Sequence, residues 1–378
     1  MSLIPPDINR GHGSRTGPRL GFFSRLLDDA PAGERYRLVA EQIAHAEAQG
    51  FDSAWVAQHH FHESEGGLPS PFVFLAHVAA RTRRIRIGTG VITLPLENAL
   101  RVAEDAAVLD LLTGGRLEVG LGTGGTAESF EAFGVQGAER GAVFARNFGV
   151  LQDAWAGRAL AGGVRLYPAA PHLLERVWQA TFSAEGGARA GANGDGLMLS
   201  RTQPRPEGTP QATLSEIQNP IIDAYLARLP AGRAPRILGS RTLFVADRRD
   251  EALRWAEAGL RRVALRHAAQ PSQWAARVDP QAPLADLIAA YDVHVGTPDE
   301  VIASLRADTA LARVSDIVFQ VHSIDPPHDA ILRSIELTAA HVAPALGWRR
   351  ADESTSTSTS TPAPSSLPAV RAGLLQAA

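Results

Sequence analysis

The chain has 378 residues, a formal net charge of −3 at pH 7 and no cysteine. Disulfides, thiolate nucleophiles and cysteine-ligated metal centres are therefore excluded, and the absence of a basic block argues against a nucleic-acid-binding protein. No apolar run approaches the roughly 20 residues that a membrane span needs, and the polar beginning lacks the apolar core of a signal peptide. We expect a cytoplasmic protein that does not associate with membranes.

The two ends of the chain differ in composition from the rest. Residues 1–18 are polar and rich in glycine, and residues 349–378 include an alternating Ser/Thr run followed by a proline-rich stretch. Such segments bury too little apolar surface to offset the entropy lost on ordering. We predict that both ends are disordered and that residues 19–348 form the folded domain.

Strand patterns alternate with helix patterns from residue 19 onwards. In chain order, the predicted strands cover residues 19–24, 51–57, 85–94, 116–122, 176–183, 196–200, 236–246 and 314–323. The helices between them carry apolar residues three or four positions apart, as at Tyr36, Val39 and Ile43. Eight strand–helix units predict an α/β protein with a (β/α)₈ TIM barrel, whose active site lies at the carboxyl ends of the strands.

One long insertion interrupts this alternation after the sixth strand. Residues 201–218 are rich in proline and polar residues, and a helix is expected from about Asn219. The composition is typical of a loop, and the position at a strand's carboxyl end predicts a lid over the barrel mouth.

The stretch "RLEVGLGTGGTAESF" at residues 116–130 contains the spacing G-x-G-x-x-G at Gly120, Gly122 and Gly125. A dinucleotide fingerprint belongs in the first strand–helix turn and needs an acidic residue after the next strand. Here three complete units come first, and Glu139, the acid at the expected distance, follows no second strand. The glycines therefore either turn the chain at the barrel rim or let backbone amides approach a flat or phosphorylated ligand.

The densest polar cluster is "QHHFHE", in which His59 and His60 end the second strand and His62 follows. Three interpretations stay open from the residues alone. The side chains are solvated at the rim, they bind a metal ion together with His294, His322 or Asp325, or an imidazole performs acid–base chemistry.

A candidate anion site follows the fifth strand. Ser183 precedes the helical pattern "AEGGARAGAN", so its hydroxyl can cap a helix whose first free N–H groups, at residues 184–187, face outwards. The alternative is a plain N-cap without a ligand.

The combination of "SAWVAQHHF", "GTGVITLP", "RVAEDAAVLDLLTGGR" and "GLGTGG" resembles the bacterial luciferase-like flavin-dependent monooxygenases, the family of luciferase and alkanesulfonate monooxygenase. The resemblance covers nearly all of residues 19–348 except the insertion. It implies a TIM barrel, commonly dimeric, that binds reduced FMN or a deazaflavin. It also implies oxidation of a small organic substrate with O₂, with reduced flavin supplied by a separate reductase.

The resemblance assigns roles to individual residues. His59 and His60 are implied as catalytic, with His59 in the proton-transferring position of the family's Glu-His-His motif. The implied flavin-binding residues are Ile92, Thr93, Gly122, Thr123, Gly124, Ser183, Ala184, Gly186, Gly187, Met198 and Ser200. Since Thr123 stands where some members carry a phosphate-binding arginine, Arg140 and Arg201 are candidates to supply that charge, and the alternative for either is a surface ion pair.

The motif departs from the family at Gln58, where glutamate is usual. We therefore expect His59 to lack a carboxylate partner and to be neutral near pH 7. Two alternatives to the monooxygenase remain: a metal-dependent barrel hydrolase that uses His59, His60 and His62, and a flavin-binding protein without turnover.

Overall fold

The computed structural model describes residues 17–206, 208–209, 211–269 and 278–348. The predicted disordered ends lie outside this range, apart from Gly17 and Pro18. Within it the strands are β1 (Arg19–Ser24), β2 (Ser53–Val56), β3 (Arg86–Thr89), β4 (Ile92–Thr93), β5 (Leu117–Gly122), β6 (Val177–Ala180), β7 (Gly196–Leu199), β8 (Ile237–Val245), β9 (Val293–Gly296) and β10 (Asp316–Gln320).

Eight of these positions form a closed parallel barrel. The order around it is β1, β2, β3, β5, β6, β7, β8 and β10, and the pairing of β10 with both β8 and β1 closes it. Strand β4 continues the third position beside β5, whereas β9 pairs with the carboxyl half of β8 outside the ring. The predicted (β/α)₈ TIM barrel is confirmed.

The helices pack around the barrel. They are α1 (Ala32–Ala48), α2 (Pro71–Ala79), α3 (Ala99–Thr113), α4 (Ala127–Ala132), α5 (Arg140–Trp155), α6 (Ala184–Asn193), α7 (Leu214–Arg228), α8 (Arg249–Ala269), α9 (Leu284–Ala290), α10 (Pro298–Arg306), α11 (His328–Leu337) and α12 (Ala343–Ala345). Among the described residues, no helix combines the length and apolar character needed to cross a bilayer.

Two tryptophans fill the inside of the barrel. Trp55 on β2 and Trp178 on β6 meet edge to face at 5.7 Å, and both are buried. A Cβ atom at Gly88 or Gly196 would lie 2.3 Å from one of these rings, so the neighbouring strands need glycine there. The small residues make room for the large ones, as close packing requires.

Three details differ from the sequence prediction. The third strand is broken into β3 and β4, and β9 is a strand that the alternation does not predict. Helix α7 begins at Leu214 rather than near Asn219, because Thr213 and Glu216 form a capping box at its first turn. Pro220 is accommodated inside that helix.

Candidate functional site

The carboxyl ends of the barrel strands form one mouth, and the strand order fixes which ends face each other. Four steps around the ring separate β1 from β6 in either direction, so these two strands lie on opposite sides. The residues that follow β1 and β2 therefore form one wall of the mouth, and those that follow β5 and β6 form the other.

His59 lies on the first wall, beside a carboxylate. Its Nδ1 is 3.6 Å from an oxygen of Glu65, and its side chain is 22% exposed. The ring contacts the turn at Gly66, where a Cβ would lie 3.1 Å from His59 Cδ2 and 2.5 Å from the carbonyl of Arg25. Burial and the positive charge of Arg25 lower the pKa of His59 to about 4 against the opposing effect of Glu65. The imidazole is therefore neutral near pH 7.

Glu65 is held in place by the turn that carries it. Thr126 Oγ1 donates to Glu65 Oε2 at 3.2 Å, and the bond with His59 lowers the pKa of Glu65 to about 2. The backbone carbonyls of this 3₁₀ turn (Glu63–Glu65) accept hydrogen bonds from three arginines on separate helices and strands, namely Arg35, Arg266 and Arg25. The carboxylate is thus fixed before any ligand binds.

Gln58 does not take the place of the missing glutamate. Its amide nitrogen donates to Glu97 Oε1 at 2.7 Å and to the carbonyl of Pro69 at 3.1 Å, while its oxygen accepts from the N–H of Thr93 at 2.7 Å. The side chain is buried and joins β2 to β4. The expectation that His59 lacks a carboxylate partner is wrong, because Glu65 approaches it from a later turn.

His60 has different surroundings from His59, and both residues lie beyond the end of β2. Its ring packs edge-on against Phe133 at 4.9 Å, and the Nε2 atoms of His60 and His62 are buried without a hydrogen-bond partner. Within the described part of the chain, no three His, Asp or Glu side chains come close enough to hold a metal ion. The arrangement does not favour the metallohydrolase alternative.

Glycine shapes the opposite wall at the end of β5. A Cβ at Gly122 would lie 2.7 Å from Val91, and one at Gly124, whose φ is +71°, would lie 2.4 Å from Thr93. Thr123 between them is half-buried. The peptide bond between Gly90 and Val91 is cis, and Val91 packs against the inner barrel core. Ile92 instead is buried in the large outer core.

Helix α6 begins beside these glycines. The hydroxyl of Ser183 accepts from the N–H of Gly186 at 3.1 Å, which makes Ser183 the N-cap of the helix. Ser183 and Ala184 are exposed, whereas Gly186 and Gly187 are buried against Thr181 and Ile221. The exposed first turn carries the partial positive charge of a helix N-terminus, which favours an anion.

The two residues predicted at the end of β7 have different surroundings. Met198 is buried in the inner core, close to Gly120. Ser200 is half-buried, with its hydroxyl accepting from the N–H of Thr202 at 3.1 Å and its carbonyl accepting from Gln218 at 2.8 Å. These bonds fix the start of the 201–218 segment.

The sequence places Glu65 just beyond the His59 cluster but assigns no role to Glu65 or to Arg25. Arg25 directly follows β1, and this position at a strand's carboxyl end is the signal that could have identified it. The structure also joins His322 to Asp325 at 2.9 Å beside β10, and among the described residues this pair forms no group of three possible metal ligands with the His59 cluster.

The family model for luciferase-like monooxygenases matches residues 20–315. The chain belongs to this family. It is 29% identical to the 4-hydroxyprotoasukamycin monooxygenase of Streptomyces nodosus subsp. asukaensis over 78% of this chain and 82% of that protein. It is 32% identical to the protein y4vJ of Sinorhizobium fredii (strain NBRC 101917 / NGR234) over 42% of this chain, and that match spans only 48% of the relative.

Solved structures show the same fold. The monooxygenase RslO1 from Streptomyces bottropensis superimposes with a TM-score of 0.71 and 25% identity, covering 87% of this chain and 99% of that one. The oxygenating constituent of 3,6-diketocamphane monooxygenase from Pseudomonas putida, solved in complex with FMN, gives a TM-score of 0.67 and 18% identity over the same shares. The luciferase-like chain is therefore an oxidoreductase of the monooxygenase type.

Proposed function

We propose that this luciferase-like protein uses reduced FMN and O₂ to oxidise a small organic substrate, with reduced flavin delivered by a separate reductase. The observation that carries the proposal is the division of the mouth into two walls. A glycine-lined strand end and a capped helix N-terminus lie on one side, and a neutral imidazole paired with a carboxylate lies on the other. The enzyme is expected in the cytoplasm.

The residues present fit a flavin. Side chains at Gly122 and Gly124 would collide with Val91 and Thr93, so glycine keeps this wall low enough for a flat ring system. Ser183 and the first N–H groups of α6 would hold the phosphate. The bound flavin, once reduced, supplies the electrons for reaction with O₂.

The residues of the chain itself supply proton transfer. A neutral His59 accepts a proton at the imidazole, and the nearby Glu65 carboxylate stabilises the imidazolium that results. We assign no such role to His60, which the structure turns towards Phe133.

A homodimer is part of the proposal. Three exposed apolar side chains, Val108, Leu111 and Leu112, share one face of α3, and the exposed Val73 lies on the adjacent α2. An apolar face of this kind is typical of an interface, and a second copy of the chain is the occupant that we expect. Sedimentation of the protein should give twice the 40.2 kDa mass of one chain. A purely monomeric protein at micromolar concentration contradicts it.

Titration with FMN tests the cofactor assignment. We expect both oxidised and reduced FMN to bind, and Ser183→Ala to weaken binding by about 1.5–3 kcal/mol because a charge-assisted hydrogen bond to phosphate is lost. Thr213→Ala is the matched control, since it removes the N-cap of α7 and should leave FMN affinity unchanged. A folded protein that binds neither form of FMN overturns the proposal.

Turnover separates the enzyme from a flavin-binding protein without activity. Reduced FMN bound to the protein should react with O₂ through a species whose absorption differs from that of oxidised FMN, as stopped-flow spectroscopy can detect. Direct conversion to oxidised FMN at the rate of free flavin would favour the non-catalytic alternative. If the protein uses a deazaflavin instead of FMN, a parallel titration should show that the deazaflavin binds more tightly than FMN.

A further inference from the structure

Arg201 is a buried cation without a carboxylate partner. It is 8% exposed and lies just beyond the carboxyl end of β7. Its side chain forms one hydrogen bond with the described residues, a long one from Nη1 to Ser323 Oγ at 3.4 Å. Among the residues that the structure describes, no Asp or Glu oxygen lies within 4.0 Å of the guanidinium. Buried charges in proteins are normally paired, so this arginine needs an explanation.

Arg241 is a second buried arginine in the same fold, and its guanidinium has both a carboxylate and a hydrogen-bond partner. Arg241 is fully buried and donates to Asp308 Oδ2 at 2.6 Å and to Gln218 at 2.8 Å. Burial without such partners lowers the pKa of Arg201 to about 9, and the charge of Arg25 adds to this effect. The difference between the two arginines lies in their partners and not in their depth.

The two acidic groups whose charges act on Arg201 are bound to other side chains. Asp325 binds His322 at 2.9 Å and lies 3.6 Å from Arg262. Asp292 pairs with Arg205 and accepts the N–H of Leu214 at 3.2 Å. Neither of these two acids forms an ion pair with Arg201.

Arg201 follows β7, which pairs with β6 on the side of Ser183, but its side chain reaches towards Ser323, beyond β10. The neighbouring Arg25 follows β1, which lies opposite β6 and Ser183. A ligand held by its phosphate at Ser183 would thus leave the two arginines for a second molecule. Arg140, at the start of α5, stays the candidate cation for the phosphate itself.

We propose that Arg201 and Arg25 bind a carboxylate of the substrate, so that the protein oxidises a small organic acid. The inference rests on the proposed function, because it names the substrate class of that same mouth. A guanidinium matches a carboxylate through two parallel hydrogen bonds, and Arg201 has donors uncommitted to any other carboxylate. The acid would then extend from this pair towards His59.

Calorimetric titration of the full-length protein, with and without oxidised FMN, tests the proposal. The probes are linear carboxylates of six to twelve carbons, phenylacetate and phenylpropionate, each compared with its own amide. At least one acid should bind ten times or more tightly than its amide. Arg201→Gln should weaken the binding of that acid about 10- to 100-fold and leave the affinity for the amide unchanged.

Two further variants keep the result interpretable. Arg201→Lys retains the charge and should retain the preference for the acid, which excludes misfolding as the cause. Arg158→Gln, at an exposed arginine paired with Asp153, should change nothing. The proposal is overturned if no acid in the panel is preferred over its amide, or if the preference survives in Arg201→Gln.

Flavin binding is the independent arm of the experiment. Arg201→Gln should leave the preference for FMN over riboflavin unchanged, since that preference reports the phosphate site. If Arg201→Gln loses the preference for FMN over riboflavin, Arg201 binds the flavin phosphate, and its assignment to a substrate carboxylate is overturned. If FMN fails to bind while acids are still preferred, the proposed function fails and the anion site stands.

Discussion

At the scale of single residues, the neighbours of His59 in space, and not its sequence motif, set its protonation state and its carboxylate partner. Glu65 lies 3.6 Å away in a turn that Arg25, Arg35 and Arg266 hold by its carbonyls. The imidazole is neutral at pH 7 because burial and Arg25 outweigh Glu65. A fixed carboxylate beside a neutral imidazole is suited to proton acceptance.

His59→Ala should therefore lower turnover about 10²- to 10⁴-fold and leave FMN affinity nearly intact, because the phosphate is held on the opposite wall. Glu65→Gln should lower turnover less, since it removes the charge but keeps the shape of the side chain. His60→Ala should have the smallest effect. Paired measurements of FMN binding and product formation check all three.

Glu63→Gln is the matched control for this prediction, because Glu63 lies in the same turn and forms an exposed ion pair with Arg35. It should retain full turnover. Full activity of His59→Ala, or greater damage from His60→Ala, would show that the roles of the two histidines are wrongly assigned.

At the scale of elements, α6 and α7 pack backbone against backbone. A Cβ at Gly187 would lie 2.6 Å from the carbonyl oxygen of Ile221, and one at Gly191 would lie 2.2 Å from that of Tyr225. Both contacts recur at a spacing of four residues, so one face of α6 is formed by glycine. This packing positions the Ser183 cap, and with it the candidate phosphate site.

Gly191→Ala should destabilise the fold by about 1–3 kcal/mol, because the two helices must separate to admit the methyl group. The gain in helix propensity, about 1 kcal/mol, only partly offsets this cost. Gly149→Ala on α5 is the control, since a Cβ there meets nothing within 4 Å and the variant should be stabilised. Urea unfolding of both variants measures the difference. Equal stabilisation of the two would contradict the close approach of α6 and α7.

At the scale of the whole molecule, buried neutral histidines couple stability to pH. Burial is the main cause that lowers the pKa of His59 and His294 to about 4 and that of His322 to about 3, from an ordinary value near 6.5. Between these values the unfolded chain binds more protons than the folded chain. Stability therefore falls as the pH drops below 6.5.

Each of these histidines should contribute about 1.4 kcal/mol of lost stability per pH unit between pH 6.5 and 4. Asp195, whose pKa burial raises to about 6, opposes one of them in the same window. Urea unfolding at pH 7.5, 6.5, 5.5 and 4.5 measures the slope, and His294→Gln should reduce it. A free energy of unfolding that stays constant over this range would contradict the neutral state of the three side chains.

The sequence by itself determined the architecture and the family. Period-two and helical patterns predict eight strand–helix units, and the same local signals identify Ser183 as a helix cap, because they act between residues that are close along the chain. These patterns did not predict three features: the break between β3 and β4, the strand β9 and the early start of α7. Short strand pairings and capping boxes leave only weak periodic signals in the sequence.

Only the tertiary structure decided what surrounds the candidate catalytic residue. Glu65 meets His59 because three arginines from distant parts of the chain hold its turn, and the charge of Arg25 acts on Arg201 because β1 and β7 belong to one closed ring. Charges from separate strand ends interact through space, and the burial that sets their pKa values exists only once the barrel has closed.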